Sequence, residues 1–270
     1  MKTSIALIVL LCVSFSAFAA SPKPADVQVD GNQVYAELNV LDLYHVTLKI
    51  TFENVIGLDA NTLSITAVQV NPQDVSLIRR LPGNLVSLPS ALPILINVTP
   101  SSQSSLTFTG DYEIELYTHD LVFDPSLRLF KSPNGGSFSD ITTFSGIGSY
   151  RVRGTSGDFS DFLILLDLRS QNQVIQNKFD VLQQTLTANA SRIQAAMYQN
   201  LQTELTAARN SWQQANNGAA VSHLEQIISS IKSDNGQSMP YAYRANDPNS
   251  SNVGGILRGQ SSTLIFSLNL

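Results

Sequence analysis

Between residues 44 and 52 every second position is apolar: Tyr44, Val46, Leu48, Ile50 and Phe52 share one face, and His45, Thr47, Lys49 and Thr51 the other. A two-residue period turns one side of an extended chain inward, so this stretch is predicted as a half-buried β-strand. Residues 63–70 repeat the pattern. In a second strong block, residues 106–122, Tyr112, Ile114 and Leu116 alternate with Asp111, Glu113, Glu115 and Tyr117. Val27 and Val29, then Asp30-Gly31-Asn32, then Val34 to Leu38 predict a hairpin, because Gly and Asn supply the positive φ of a tight turn. Further strands are predicted at 94–98, 127–130, 150–153 and 159–168, with prolines 82, 89, 93 and 100 in a looser section and a turn at Pro133-Asn134-Gly135-Gly136. Short strands separated by Gly, Pro, Asn and Asp, with no helix between them, argue for an antiparallel sandwich rather than a parallel sheet.

After residue 170 the rhythm changes. Ile175, Phe179, Leu182, Leu186, Ala190, Ile193, Met197, Leu201, Leu205, Ala208 and Trp212 are spaced by three or four, the signature of an amphipathic helix. Ser191 and Gln194 have capping-box spacing next to Asn189-Ala190, so the segment is either one long helix or two with a kink. Asn216-Asn217-Gly218 ends it. Val221, Leu224, Ile227, Ile228 and Ile231 then line a second helix that runs out at Ser233-Asp234-Asn235-Gly236, and so short a turn predicts antiparallel packing. Residues 262–270 alternate again, with Leu264, Phe266, Leu268 and Leu270 against Ile265, Ser267 and Asn269, and are predicted as a last strand that returns to the sheet. The expected fold is mainly β with an α-helical segment: a β-sandwich over 25–168, a helical hairpin over 170–235, and a loop with a C-terminal strand over 236–270.

Residues 60–168, with Leu106-Thr107-Phe108, Tyr112 to Leu116, Leu127 to Phe130, Gly135 to Phe138 and Gly157 to Phe162, resemble the immunoglobulin-like sandwiches of secreted bacterial proteins. The run Leu201, Leu205, Ala208, Trp212, then Asn-Asn-Gly, then Val221, Leu224, Ile227, Ile228 and Ile231, resembles the helical hairpins called FIMAH domains, which are appended to bacterial surface proteins. The chain as a whole is similar to an uncharacterised family of exported bacterial proteins, a domain of unknown function. Such a resemblance brings no catalytic residues with it.

Lys2, an apolar run over 5–13 and Ala17-Phe18-Ala19 have the layout of a signal peptide over residues 1–19, which implies a periplasmic or secreted protein. The run is too short for a membrane anchor, and Leu11 before Cys12 does not fit a lipid-attachment site. Cys12 is the single cysteine, so the mature chain holds no disulfide, thiol nucleophile or cysteine-bound metal. Loss of Lys2 leaves 15 basic against 21 acidic residues, a net charge of −6, and the largest basic groups are Arg79-Arg80 and Arg151 with Arg153. That argues against nucleic acid and anionic membrane surfaces as partners.

The sequence carries no recognisable catalytic, cofactor-binding or metal-ligating set of residues. His45, His119 and His223 show no paired spacing, and Gly146-Ile147-Gly148-Ser149 and Gly154-Thr155-Ser156-Gly157 are loops rather than nucleophile elbows. Asp111, Glu113, Glu115, Asp120 and Asp124 lie close in sequence with no base nearby; they read as a solvated strand face, and whether they bind Ca²⁺ is open. Asp158, Asp161 and Asp167 read as turn and strand-end residues. Tyr35, Tyr44, Tyr117 and Tyr150 are the candidates for a flat sugar-binding surface. The function expected is a non-enzymatic exported protein in adhesion, scaffolding or interaction with another protein or a surface glycan. The alternative is a carbohydrate- or Ca²⁺-binding sandwich module.

Overall fold

The structure is a computed structural model that describes residues 24–101 and 103–270; the signal peptide expected over 1–19 lies outside the described residues. The first half runs β1 (Val27–Asp30), β2 (Gln33–Val40), β3 (Tyr44–Ile56), β4 (Leu63–Gln69), a one-turn helix α1 (Val75–Ile78), β5 (Val86–Ser87), β6 (Ile94–Pro100) and β7 (Thr107–Tyr117). Then come β8 (Leu127–Ser132), β9 (Ser139–Asp140), β10 (Thr142–Ser145), β11 (Arg151–Ser156) and β12 (Asp161–Asp167). The chain closes with α2 (Gln171–Ala188), α3 (Ala195–Gln213), α4 (Asn217–Asp234), β13 (Ala242–Arg244) and α5 (Val253–Leu268).

The strands form two antiparallel sheets. Sheet A has the order β1-β2-β3-β7-β11-β10 with β13 also paired to β7, and sheet B the order β4-β6-β12-β8-β9 with β5 on β12. Alternation explains why they stack. Val46, Leu48, Ile50 and Phe52 of β3 are at most 1 % exposed and meet Ile65, Ile96, Leu129 and Phe162 of sheet B in one core. Each such side chain contributes roughly 1.5–3 kcal/mol on leaving water. In β12 the continuous apolar run Phe162 to Leu166 has a different cause: sheet B is covered on both faces. Its outer residues Phe130, Leu163 and Leu165 lie under Leu77, Val86 and Leu88 of the connecting segment.

The helical segment is two helices before the turn, not one. A capping box on Ser170 and Gln173 starts α2, a 3₁₀ turn at Ala190–Arg192 separates it from α3, and Gln194 rather than Ser191 occupies the N-cap of α3. Asn216 then accepts from Ala219 N to cap α4, which ends on Asn235 at φ +48° and Gly236 at φ +84°. Helices α3 and α4 are antiparallel, as Asn200 beside Ser230 and Glu204 beside His223 demonstrate.

The C-terminal strand expected over 262–270 is a helix instead. Asn252 caps α5 by accepting from Gly255 N, and Val253, Leu257, Leu264 and Leu268 join Ile175, Phe179, Leu224 and Ile231 in the helical core. The four-residue step from Leu264 to Leu268 suits one face of a strand, but it is also about one helical turn, and the cap decides between the readings. The opposite side of α5 is a stripe of small residues, Gly255, Gly259 and Ser262, and it lies on the outer face of sheet A. Segment 236–270 does reach the sheet by strand pairing, through β13, where Tyr243 pairs with Phe108. No described helix is long and apolar enough to cross a membrane.

Candidate functional site: the divided outer face of sheet A

Helix α5 divides the outer face of sheet A. Over the lower part its backbone comes so close that a Cβ on Gly255 would stand 2.2 Å from Gly110 O, and one on Gly157 would stand 2.4 Å from Ile256 N. Arg258 anchors this seam. Its guanidinium lies 2.5 Å from Glu53 and 3.4 Å from Asp111 and also bonds the Tyr241 hydroxyl, while Lys232 of α4 reaches Glu53 at 3.2 Å. Burial pushes both carboxyls up. For Glu53 the bonds from Arg258 and Lys232 overcome that and hold it below the usual range, whereas Asp111 stays above it because Arg258 offsets only part of the burial.

The rest of the outer face is open. Strand register sets its side chains in rows: Glu37, Thr47, Tyr117 and Arg151 are successive neighbours across β2, β3, β7 and β11, and Tyr35, Lys49, Glu115 and Arg153 form the next row. Their inward neighbours Leu48, Ile50, Ile114 and Val152 are buried, so the rows point outward by pleat. Arg151 stacks 5.2 Å from the Tyr117 ring, Tyr150 meets the same ring edge-on at 5.9 Å, and His119 at 4.6 Å. Thr47 Oγ1 donates to Glu37 at 3.0 Å and lies 3.0 Å from His119 Nε2. One row away Lys49 sits 5.5 Å over Tyr35, and Arg153 bridges Glu115 at 2.6 Å while lying 5.1 Å over Phe144.

Of the four tyrosines nominated by sequence, Tyr117 and Tyr150 come together and Tyr35 shares their face. Tyr44 does not; it packs partly on the sandwich core with its hydroxyl 3.4 Å from Gln69. The acidic face of β7 is not simply solvated. Bases far along the chain compensate it, Arg153 and Arg151 at Glu115 and Arg258 at Asp111, and these remove the excess negative charge that would draw a cation. Asp124 instead caps a turn through Ser126, whose hydroxyl and N–H hold its carboxyl below the usual range. Among the described residues no group of three His, Cys, Asp or Glu could hold a metal ion. Asp158, Asp161 and Asp167 are also more than strand-end residues, being paired with Lys131, Arg80 and Arg169. Of the histidines, His45 is exposed on β3, His119 lies by Thr47, and His223 bonds Glu204 at 2.8 Å.

A cavity of about 250 Å³ that no local sequence pattern announces lies between the sandwich and the helices. Lys131 of β8 enters it with Nζ 2.5 Å from Asp158, and Lys178 of α2 with Nζ 2.8 Å from Asp140 Oδ2 and donating to Thr263 O at 2.9 Å. Both lysine side chains are 6 % exposed. Burial lowers Lys178 below the usual lysine range, with Asp140 offsetting only part of it; for Asp140 burial is outweighed by Lys178 and Arg128, and its carboxyl is held low. Gln260 of α5 donates to Thr185 at 2.9 Å, while among the described residues its buried Oε1 has no partner.

The chain matches, over residues 7–270, a family described as a family of unknown function (DUF6689). No curated protein matches it.

Proposed function

The chain belongs to this family of unknown function, and we propose that it is an exported, non-enzymatic bacterial protein that holds a surface partner on the open half of sheet A. Its role is adhesion or scaffolding in the periplasm or at the cell surface. The leader-like sequence over 1–19 supports export.

The observation that carries the binding role is the row Glu37, Thr47, Tyr117 and Arg151 with Tyr150 at its end. A tyrosine ring offers a flat apolar surface to the C–H face of a sugar, and the guanidinium, hydroxyl and carboxylate beside it bond the sugar's hydroxyls in both senses. The strands beneath are pinned by a packed core, so the face is organised before the ligand arrives. The partner class these side chains suit best is a surface glycan. A protein partner is the second reading, favoured by Phe144, 43 % exposed beside Arg153, because exposed aromatic area next to Arg is typical of protein contacts.

The test is a glycan array probed with the protein lacking residues 1–19, in parallel with Tyr117→Ala. Binding to a defined set of glycans that disappears in the variant is expected. An array silent for the wild type ends the glycan reading and leaves the protein-partner one.

A further inference from the structure

We propose that the cavity between the sandwich and the helices is a second binding site, for a neutral, hydroxyl-rich small molecule the size of a single sugar ring. It does not depend on the reading of the open face, since the two share no residue.

Charge sets the class first. The ionisable side chains on the wall are Lys131, Asp158, Lys178 and Asp140, and each lysine is already matched to an aspartate at 2.5 and 2.8 Å. An anion entering would face two carboxylates and a cation two ammonium groups, so neither gains what a buried charge needs. Unsatisfied hydrogen bonding sets the rest. An ammonium carries three N–H groups. Among the described residues Lys131 uses one of them, on Asp158, so donors are left over, while the buried Gln260 Oε1 is an acceptor without a donor. A ligand that satisfies both must accept and donate, which a hydroxyl does. Ile141, Val181 and Ile256 supply apolar wall for a carbon ring between those groups.

Size and position agree. A volume of about 250 Å³ falls just below the ~300–1,000 Å³ of sites for drug-sized ligands, which leaves room for one ring. The wall is drawn from β8, β9, β11, α2 and α5, so a bound ring joins the two layers. Binding there therefore stabilises the attachment of the helices to the sandwich.

Isothermal titration of the protein with glucose, galactose, mannose, N-acetylglucosamine and myo-inositol tests this, with inorganic phosphate and glycine as charged comparisons. Val181→Phe narrows the cavity from α2, and Gln260→Leu removes the unpaired acceptor without adding volume. At least one neutral compound is expected to bind saturably to the wild type and about tenfold or more weakly to both variants, a loss of roughly 1.4 kcal/mol or more. Thermal melts of the free variants establish that they fold; if Val181→Phe does not, Gln260→Leu decides alone. A hexose held on the open face would be lost in Tyr117→Ala rather than in these two. No neutral compound binding, binding of phosphate or glycine in their place, or unchanged affinity in the folded variants overturns the proposal.

Discussion

Replacing Gly255 by Ala reverses the usual sign of a Gly→Ala change in a helix. Helix propensity alone predicts a gain of up to about 1 kcal/mol. Against it stands the geometry of the seam: the new Cβ would lie 2.2 Å from Gly110 O and 2.4 Å from Asn252 Nδ2. Neither atom is the free end of a flexible side chain. Gly110 O is strand backbone, and Asn252 is fully buried, donates to that carbonyl at 2.6 Å and caps α5. Overpacking of this kind costs about 1–3 kcal/mol, and the rigidity of both neighbours puts Gly255 at the upper end. Disturbing the cap adds about 1 kcal/mol. The net expectation is a loss of about 2–3 kcal/mol, and at ~2–4 °C per kcal/mol for a protein of this size the Tm falls by roughly 5–10 °C. Gly218 in the first turn of α4 is the matched control, since its added Cβ would meet nothing closer than 3.9 Å. Gly218→Ala is expected to leave Tm unchanged or raise it by about 1–3 °C. Calorimetric melts of the three proteins decide; a Gly255→Ala protein as stable as wild type would refute the close contact between α5 and β7.

Two more outcomes follow from the buried charges. Arg258→Met leaves Glu53 and Asp111 without their shared cation, and with Lys232 still near Glu53 the loss is about 3 kcal/mol, read as a lower urea midpoint; an unchanged midpoint would mean that the seam is solvated. The low carboxyl of Asp140 means that the unfolded chain binds its proton more readily than the folded one. Its contribution to stability is present above the unfolded value of about 4 and is lost as pH falls through the lower folded value. Urea titrations from neutral pH into acid should therefore show a gentler fall in stability for Asp140→Asn than for wild type, and identical slopes would contradict the pairing with Lys178.

Strands β3 and β7 were legible because each has one dry and one wet face. Their inward side chains fill the core, and outward ones such as Thr47, Lys49, Glu115 and Tyr117 form the rows of the open face. Helices α2, α3 and α4 were legible for the same reason with a 3.6-residue period. Helix α5 was not, because both of its sides are covered: Val253, Leu257 and Leu264 lie in the helical core, and Gly255 and Gly259 lie against the backbone of sheet A. With no polar face there is no moment to read, and the alternation of its last residues was coincidental. Only Asn252, placed three residues before Gly255 as an N-cap, carried a signal. The ion pairs were hidden by distance along the chain: Asp111 looked uncompensated because its base is residue 258. The cavity was hidden likewise, since Lys131, Lys178 and Gln260 belong to three elements that share no local pattern.

The identity of the C-terminal segment, on which the division of sheet A rests, is tested most directly by thiol labelling of Ser267→Cys and Leu270→Cys in a Cys12→Ser background. A strand would turn Leu270 inward and Ser267 outward; in the structure Ser267 of α5 is 1 % exposed and Leu270 just beyond it 62 % exposed. The thiol introduced at position 270 is expected to react with a labelling reagent at the rate of a free cysteine, and the thiol at position 267 only after denaturant is added. Rapid reaction at 267 with protection at 270 would restore the strand and remove the helix that covers half of the sheet.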